Sequence, residues 1–490
     1  MSLGHEDDMI DRLSTTLNNA DAPQSKAEKE LAQLQQSQQE RMIQQNKHYL
    51  EELFVESRTQ PIKIKNVQIT NSQSFRTSFL ASQFEPLLKH NTPIGLETFL
   101  KNIEQVSKSF IKLGLVQDLM VSVNHLPRSY FSRPSASLDV VPVFNIIPVK
   151  KFYAKTGTNI GNGEGDGYIE FQFKNLFGGA ENLTFDAISG TKTQSSYLIN
   201  YNQPLFNNAN FILENVGYLN TRKYDWFNSD VTMRGLTNRI YTQLEGGLNH
   251  ELTLENSWRI LNNLNSKSND ILFQSGSSLK SSLSYNINYD TRNNHILPTA
   301  GKYIKAGVEF NGLTKSTSSP FLKSILESQF TLPVKSLKSS LVFTHKSGVL
   351  YPLGNSSFIL DRFFIGGPND VRSFTMNGLG PKSYNSSVGG DVFLNGGVSL
   401  VSKIPGISEE SNFKLHNFVN FGKLMPLQKK LGLAGLAKDF SGNYSVSYGF
   451  GILFNHPMAR FELNFVLPLA VHERDSIRKG IQYGIGVSFL

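Results

Sequence analysis

The side chains best equipped for chemistry in this 490-residue chain do not line up as a catalytic set. With no cysteine, thiolate nucleophiles, thiolate zinc sites and disulfides are all excluded. The ten histidines are scattered without metal-ligand spacing, and His472 beside Glu473 reads as a loop pair. Gly366-Gly367-Pro368 is a turn, since no helical pattern follows to make it a phosphate loop. No nucleophile, base and acid fall into register, so the expectation is a protein that is not an enzyme and needs no cofactor and no metal. Two constellations suited to recognition remain. The first is Val371-Arg372-Ser373-Phe374, within the Gly-rich run from Arg362 to Pro381. Its arginine is either a solvated loop charge or, in a partly dry setting, a planar fork that requires a carboxylate or several carbonyls. The second is the chain end, Gln482-Tyr-Gly484-Ile-Gly486-Val487-Ser-Phe489, polar at one end and apolar at the other, with glycines that weaken a strand interior.

Period-two alternation is what must position both. Phe171 and Phe173 alternate with Glu170, Gln172 and Lys174, and Leu283, Tyr285, Ile287 and Tyr289 with serines and asparagines. Phe461, Leu463, Phe465 and Leu467 alternate with Arg460, Glu462 and Asn464 in the same way. From residue 167 to 490 about sixteen such runs follow one another, each with its connection taking about 21 residues. Strands of roughly ten residues suit a bilayer crossed at a tilt, whereas sandwich strands average nearer five or six. No stretch approaches the roughly 20 apolar residues of a membrane helix. The 35 Phe, 17 Tyr and 39 Gly favour strands, aromatic girdles and turns. The expected fold is therefore an all-β transmembrane barrel of about 16 antiparallel strands, closed because an open edge in lipid leaves backbone groups unsatisfied.

Two segments precede it. Residues 1–60 are an acidic, Gln-rich extension, helical or disordered, with 11 acidic and 6 basic side chains. The rest of the chain is basic, but its Lys and Arg are scattered, so no nucleic-acid partner is expected. Residues 61–152 read as a small α+β unit in the order β-α-α-β-β. A strand around Ile62 and Ile64 leads into helical spacing over 75–89 and 96–115, then strands at 118–124 and 138–149. Residues 153–490 form the barrel. The acidic start, Met1-Ser-Leu-Gly-His, has neither a secretory signal nor an Arg-rich transit pattern, which argues against bacterial export.

The run Arg362-Phe-Phe-Ile-Gly-Gly-Pro-Asn-Asp-Val-Arg-Ser-Phe-Thr-Met-Asn-Gly-Leu-Gly-Pro381 resembles the lid loop of the BamA-type outer-membrane barrel-assembly family. The endings His456-Pro-Met-Ala-Arg-Phe-Glu-Leu-Asn-Phe465 and Ile477-Arg-Lys-Gly-Ile-Gln-Tyr-Gly484 resemble its mitochondrial branch, the central barrel of the sorting and assembly machinery. Ala154-Lys-Thr-Gly-Thr-Asn159, Asp290-Thr-Arg-Asn293 and Pro298-Thr-Ala-Gly301 support the likeness, which spans about residues 61–490.

This resemblance implies a POTRA (polypeptide-transport-associated) domain over 61–152, facing the intermembrane space, and a lid at about 366–390 folded into the lumen. It implies insertion of β-barrel precursors into the mitochondrial outer membrane, alongside two peripheral accessory subunits, sometimes a second barrel, and membrane lipid. The family motif at the lid tip carries Gly where Ser373 stands. An acid common on strand 13 is replaced by Asn420 in Phe418-Val-Asn-Phe-Gly422, so Glu462, lumen-facing by alternation, becomes the expected counter-charge of Arg372. Gln482, Gly484, Val487 and Phe489 match the sorting signal that the family reads in its clients. A lateral gate is then expected between this last strand and a first strand carrying Ile169, Glu170, Phe171, Gln172 and Phe173. The alternatives are a passive porin-like channel, a secretion pore of the same superfamily, and a structural tether.

Overall fold

The computed structural model describes residues 26–89, 92–126, 137–161, 164–263, 265–408, 411–428, 432–457, 459–472 and 474–486. Helix Lys26–Ser57 occupies most of the acidic extension. An α/β region follows it. Its five-stranded sheet runs in the order Gln68–Thr70, Leu138–Pro148, Pro61–Ile64, Ile94–Gly95, with Val116–His125 also paired to Leu138–Pro148. Helix Thr77–Gln83 and helix Leu96–Lys112 belong to the same stretch of chain. Phe110 receives the ring of Phe79 edge-on at 6.2 Å and that of Phe84 at 5.8 Å. Aromatics at helical spacing thus supply a core that short strands alone could not.

The second body is an antiparallel sheet of sixteen strands, each paired to its sequence neighbour. Counted along the barrel they are β1 Phe152–Gly161, β2 Glu164–Lys174, β3 Asn182–Gly190, β4 Thr193–Pro204, β5 Phe211–Tyr224, β6 Ser229–Thr242, β7 Leu248–Asn263 and β8 Gly276–Asp290. Then come β9 Gly301–Asn311, β10 Phe321–Val334, β11 Ser339–Pro352, β12 Val392–Lys403, β13 Phe413–Met425, β14 Ser445–Asn455, β15 Arg460–Ala470 and β16 Gly480–Gly486.

Alternation fixes which side chain faces which medium. Along β15, Phe461, Leu463, Phe465 and Leu467 are exposed while Arg460, Glu462, Asn464 and Val466 are buried. A one-residue slip would exchange these sets, so the register is strongly specified. Cross-strand rings reinforce it, with Phe450 and Phe465 at 5.6 Å and Phe454 and Phe461 at 6.0 Å. The sheet is rolled: the connection from β11 to β12, residues 353–391, meets inward side chains from β7, β10, β12, β13, β15 and β16. Among the described residues no helix is long and apolar enough to cross a membrane.

The structure corrects the position of the first strand. Ile169, Glu170, Phe171, Gln172 and Phe173 lie on β2, paired on one side to β1 and on the other to β3. The edge strand is β1, whose Phe152 stands opposite Phe173 and whose Lys155 pairs with Glu170 at 3.5 Å. Beyond Phe152 its alternating positions are Ala154, Thr156 and Thr158, too small and polar to show as an apolar stripe, so the strong aromatic run of β2 masks it. Fifteen strands therefore follow residue 163, and Phe152–Gly161 completes the sixteen. Among the described residues no ladder joins β1 to β16. Val487 and Phe489 lie outside the described residues.

Candidate functional site

Inside the barrel, Phe418, Asn420 and Gly422 share the inward face of β13 because they are two residues apart. Glu462 and Asn464 do the same on β15, and Gln482 on β16. The loop 353–391 lowers Val371-Arg372-Ser373-Phe374 onto this wall, and Val371, Arg372, Ser373 and Phe374 are all fully buried there.

Arg372 uses its whole fork. Its Nε donates to Glu462 Oε2 at 3.0 Å, Nη2 donates to Oε1 at 3.1 Å and Oε2 at 2.9 Å, and Nη1 donates to Asn420 Oδ1 at 3.0 Å. The guanidinium also lies over the Phe418 ring, 4.5 Å from its centroid. Glu462 is shared with Arg460, and Asn464 Nδ2 donates to it at 2.6 Å. His416 is 4.0 Å from the same carboxylate and meets Ser399 Oγ at 3.0 Å. One buried carboxylate thus answers two buried guanidinium groups, and away from bulk solvent each hydrogen bond between charged partners is stronger than in water. Asn420 accepts from Arg372 without adding charge, and its own Nδ2 finds no partner among the described residues.

Close approach is possible because the wall carries glycine where the lid lands. A Cβ on Gly422 would come within 2.8 Å of Val371 Cγ2, and one on Gly449 would meet the Phe418 ring. Around this polar centre Val371 and Phe374 pack with Phe321, Leu350, Phe363, Ile365, Leu379, Phe393 and Leu424. A second anchor lies earlier in the loop, where Arg259 of β7 grips Asp361 at 2.6 and 3.2 Å. Asp370 ties the tip's own turn, accepting from Gly366 N at 2.6 Å and Asn395 Nδ2 at 2.5 Å.

The lid also grips the chain end. Arg478 N donates to Ser373 O at 2.9 Å, Thr375 N to Ser476 O at 3.0 Å, and Ser476 N to Gly378 O at 2.9 Å. Ser373 N donates to Gln482 Oε1 at 3.1 Å, and Asn369 Nδ2 to Ile485 O at 3.0 Å. Gln482 therefore serves the lid, and Gly484 and Gly486 follow it on the same short strand. The structure brings Arg372, Asn420, Glu462 and Gln482 together, whereas residues 169–173 belong to another part of the wall. Phe418, Gly422, Arg460 and His416 belong to the site and were not singled out for it from the sequence. The signal available was their period-two spacing around Asn420 and Glu462.

Ser373 adopts φ 74°, a left-handed conformation costing a non-glycine residue about 1–2 kcal/mol. Its Oγ is buried without a partner among the described residues. Ser373→Gly relieves both the strain and the stranded hydroxyl, so lid docking should strengthen by about 1 kcal/mol. Slower hydrogen exchange at the residue-373 amide, by about five-fold, would register it. Faster exchange would contradict it.

Comparisons with known proteins bear on the same regions. Residues 175–489 match the Omp85 superfamily domain. The chain is 30% identical to the Sorting assembly machinery 50 kDa subunit of Saccharomyces cerevisiae, over 89% of this chain and 96% of that one. It is 33% identical to the Sorting and assembly machinery component 50 homolog of Homo sapiens, over 72% and 76% of the two chains. Among solved structures, BamA from Haemophilus ducreyi lacking POTRA domains 1–3 superposes with a TM-score of 0.70 at 14% identity, covering 87% of this chain and 84% of that one. CdiB from Acinetobacter baumannii gives 0.50 at 13% identity, covering 87% and 73%. At such identities the two structures speak to the fold alone.

Proposed function

The chain belongs to the Omp85 superfamily, as a barrel of the sorting and assembly machinery 50 type, and from that premise we propose that it inserts β-barrel precursors into the mitochondrial outer membrane. The client's C-terminal signal strand pairs with an openable seam between β1 and β16. Residues 61–152 act as a POTRA domain in the intermembrane space, and two peripheral accessory subunits, at times with a second barrel, complete the machine. No bond is made or broken in a substrate, so the work is templating by backbone pairing.

The observation that carries this reading is the state of the sheet's ends. β16 is a strand of seven residues containing Gly480, Gly484 and Gly486 and is laddered to β15; β1 is laddered to β2. Backbone groups on the outer edge of β1, which no ladder takes up among the described residues, offer an incoming strand a template that lipid cannot satisfy. In this reading Phe152–Gly161 is the templating strand, and the chain end carrying Gln482, Gly484, Gly486, Val487 and Phe489 is what a client displaces. A passive channel needs an unobstructed lumen, while here the loop 353–391 lies against the inner faces of six strands.

Cysteines placed singly along 152–161 and 480–486, in a chain with no native cysteine, should crosslink to the last strand of an arrested barrel precursor. Those crosslinks should vanish when the precursor's signal glycine is replaced. Crosslinks at β2 but not at β1, or no precursor crosslinks beside steady ion conduction, would replace this reading.

A further inference from the structure

Opposite the lid, the barrel carries a second inward segment. The connection from β8 to β9, residues 291–300, lies at the other rim from the β11–β12 connection, because successive strands run antiparallel. Loop tips at a barrel rim ordinarily face solvent, yet here Leu297 and Pro298 are buried. Leu297 packs with Val401 of β12 and Leu453 of β14. Both of these point inward: the exposed Val398 marks the outer face of β12, and the exposed Phe450 and Ile452 mark that of β14. The two residues before Leu297, His295 and Ile296, line a cavity of about 30 Å³ with Thr344 and Lys346 of β11 and Arg460 of β15. In a rolled sheet of sixteen strands β15 is seven from β8, so the turn reaches almost to the facing wall.

A connection can leave water only if its backbone groups are answered, and this one answers them with its own side chains. Asn293 Oδ1 accepts from Thr299 N at 3.0 Å and from Ala300 N at 3.2 Å, and its Nδ2 donates to Thr299 Oγ1 at 2.7 Å. Asn294 Oδ1 accepts from Ile296 N at 2.8 Å and Leu297 N at 3.1 Å. Asparagine suits the task because its short amide reaches nearby backbone groups. Arg292 fastens the base. Its Nε and Nη2 donate to Asp290 at 3.0 and 2.7 Å, and its Nη1 donates to Gln329 Oε1 of β10 at 2.7 Å. The guanidinium also lies 4.3 Å from the centroid of the Tyr303 ring. The result is a loop with its ends together, braced from within and apolar at the tip.

From this geometry we infer that residues 291–300 are a second plug, closing the side of the lumen between β9 and β15 beneath the lid, with Leu297 as its stopper. Arg460 marks where the two closures meet. It is bonded to Glu462, which holds the lid's Arg372, and it lines the cavity under His295 and Ile296. A cavity of that size admits about one or two waters, and no polypeptide. The turn therefore shields the polar centre of the lid from the water at its own rim. A chain arriving there is turned away from the lumen, whatever the barrel inserts.

The test uses the full chain in its membrane with Thr344→Cys as the reporter, in a sequence that has no cysteine of its own. A charged, membrane-impermeant methanethiosulfonate should modify it at least ten-fold more slowly than Thr299→Cys, an exposed position on the same turn. Adding Leu297→Ser or Leu297→Ala should speed modification at Thr344→Cys at least ten-fold. Leu297→Met, which conserves the packed volume, should leave it within two-fold. Heat-modifiable mobility confirms in each case that the barrel is folded. A turn that only stiffens the rim would lower the unfolding temperature of these variants without moving the labelling rate. The inference falls if the reporter is modified as fast as Thr299→Cys, or if neither Leu297→Ser nor Leu297→Ala changes its rate. It falls equally if Leu297→Met opens the site as far as Leu297→Ser.

Discussion

Glu462→Ala is expected to release the lid and cut precursor insertion at least ten-fold, while the barrel itself stays folded. The carboxylate is fully buried and is shared by Arg372 and Arg460, so its removal strands two guanidinium groups away from water. Breaking one partner out of a buried ion pair costs about 3–5 kcal/mol, and most of that is the burial of the charge left behind. The least costly escape is for Arg372 to leave, since it sits on a loop while Arg460 sits on a strand. Asn420 and the Phe418 ring remain, but neither supplies negative charge. Limited proteolysis of the 366–390 segment reports release, and insertion of a radiolabelled precursor reports function. The double variant Glu462→Ala with Arg372→Ala should be less damaged in stability than the sum of the two singles. Arg372→Lys should behave nearly as badly as the alanine variant, because an ammonium cannot span two carboxylate oxygens and Asn420 together. An intact, protease-resistant lid in Glu462→Ala would show that the apolar cluster around Phe374 alone holds the loop.

The second large effect concerns the seam. A disulfide joining a residue of Phe152–Gly161 to one of Gly480–Gly486 is expected to abolish insertion and to be fully reversed by reductant. Templating needs the two end strands to part, and a covalent bond between them cannot be displaced by strand hydrogen bonds contributing about 0.5–1.5 kcal/mol each. The same cysteine pair moved to β2, at Ile169 or Phe171, should not form the bond with β16, because β1 lies between them. Insertion that survives a quantitative β1–β16 disulfide would remove the lateral gate from the mechanism.

Much of this fold could be read in the sequence because a lipid-exposed strand has no freedom over parity. Phe461, Leu463 and Phe465 must face out, so Glu462 must face in, and its meeting with Arg372 required only that the loop enter the lumen. Legibility failed where the alternation was chemically faint. Thr156 and Thr158 of β1 carry too little apolar contrast to announce a strand, which shifted the expected gate by one strand. The contribution of Gln482 to the lid was hidden for a different reason: a tertiary bond across 109 residues leaves no local pattern. Ser373 is a third case, since local chemistry disfavours φ 74° for serine and tertiary contacts around Arg372 impose it.

Sequence separation gives the lid a place in time as well as in space. Its bonds reach 90 residues to Glu462, 102 to Arg259 and 109 to Gln482, and long closures of this kind are made late in folding. The partners of the tip lie on β13, β15 and β16, which leave the ribosome after it. The polar partners of Val371-Arg372-Ser373-Phe374 are therefore incomplete until the last hairpin is in place, so full docking of the tip marks the moment at which the chain's own barrel is complete. A chain truncated before Glu462 should accordingly leave the lid undocked.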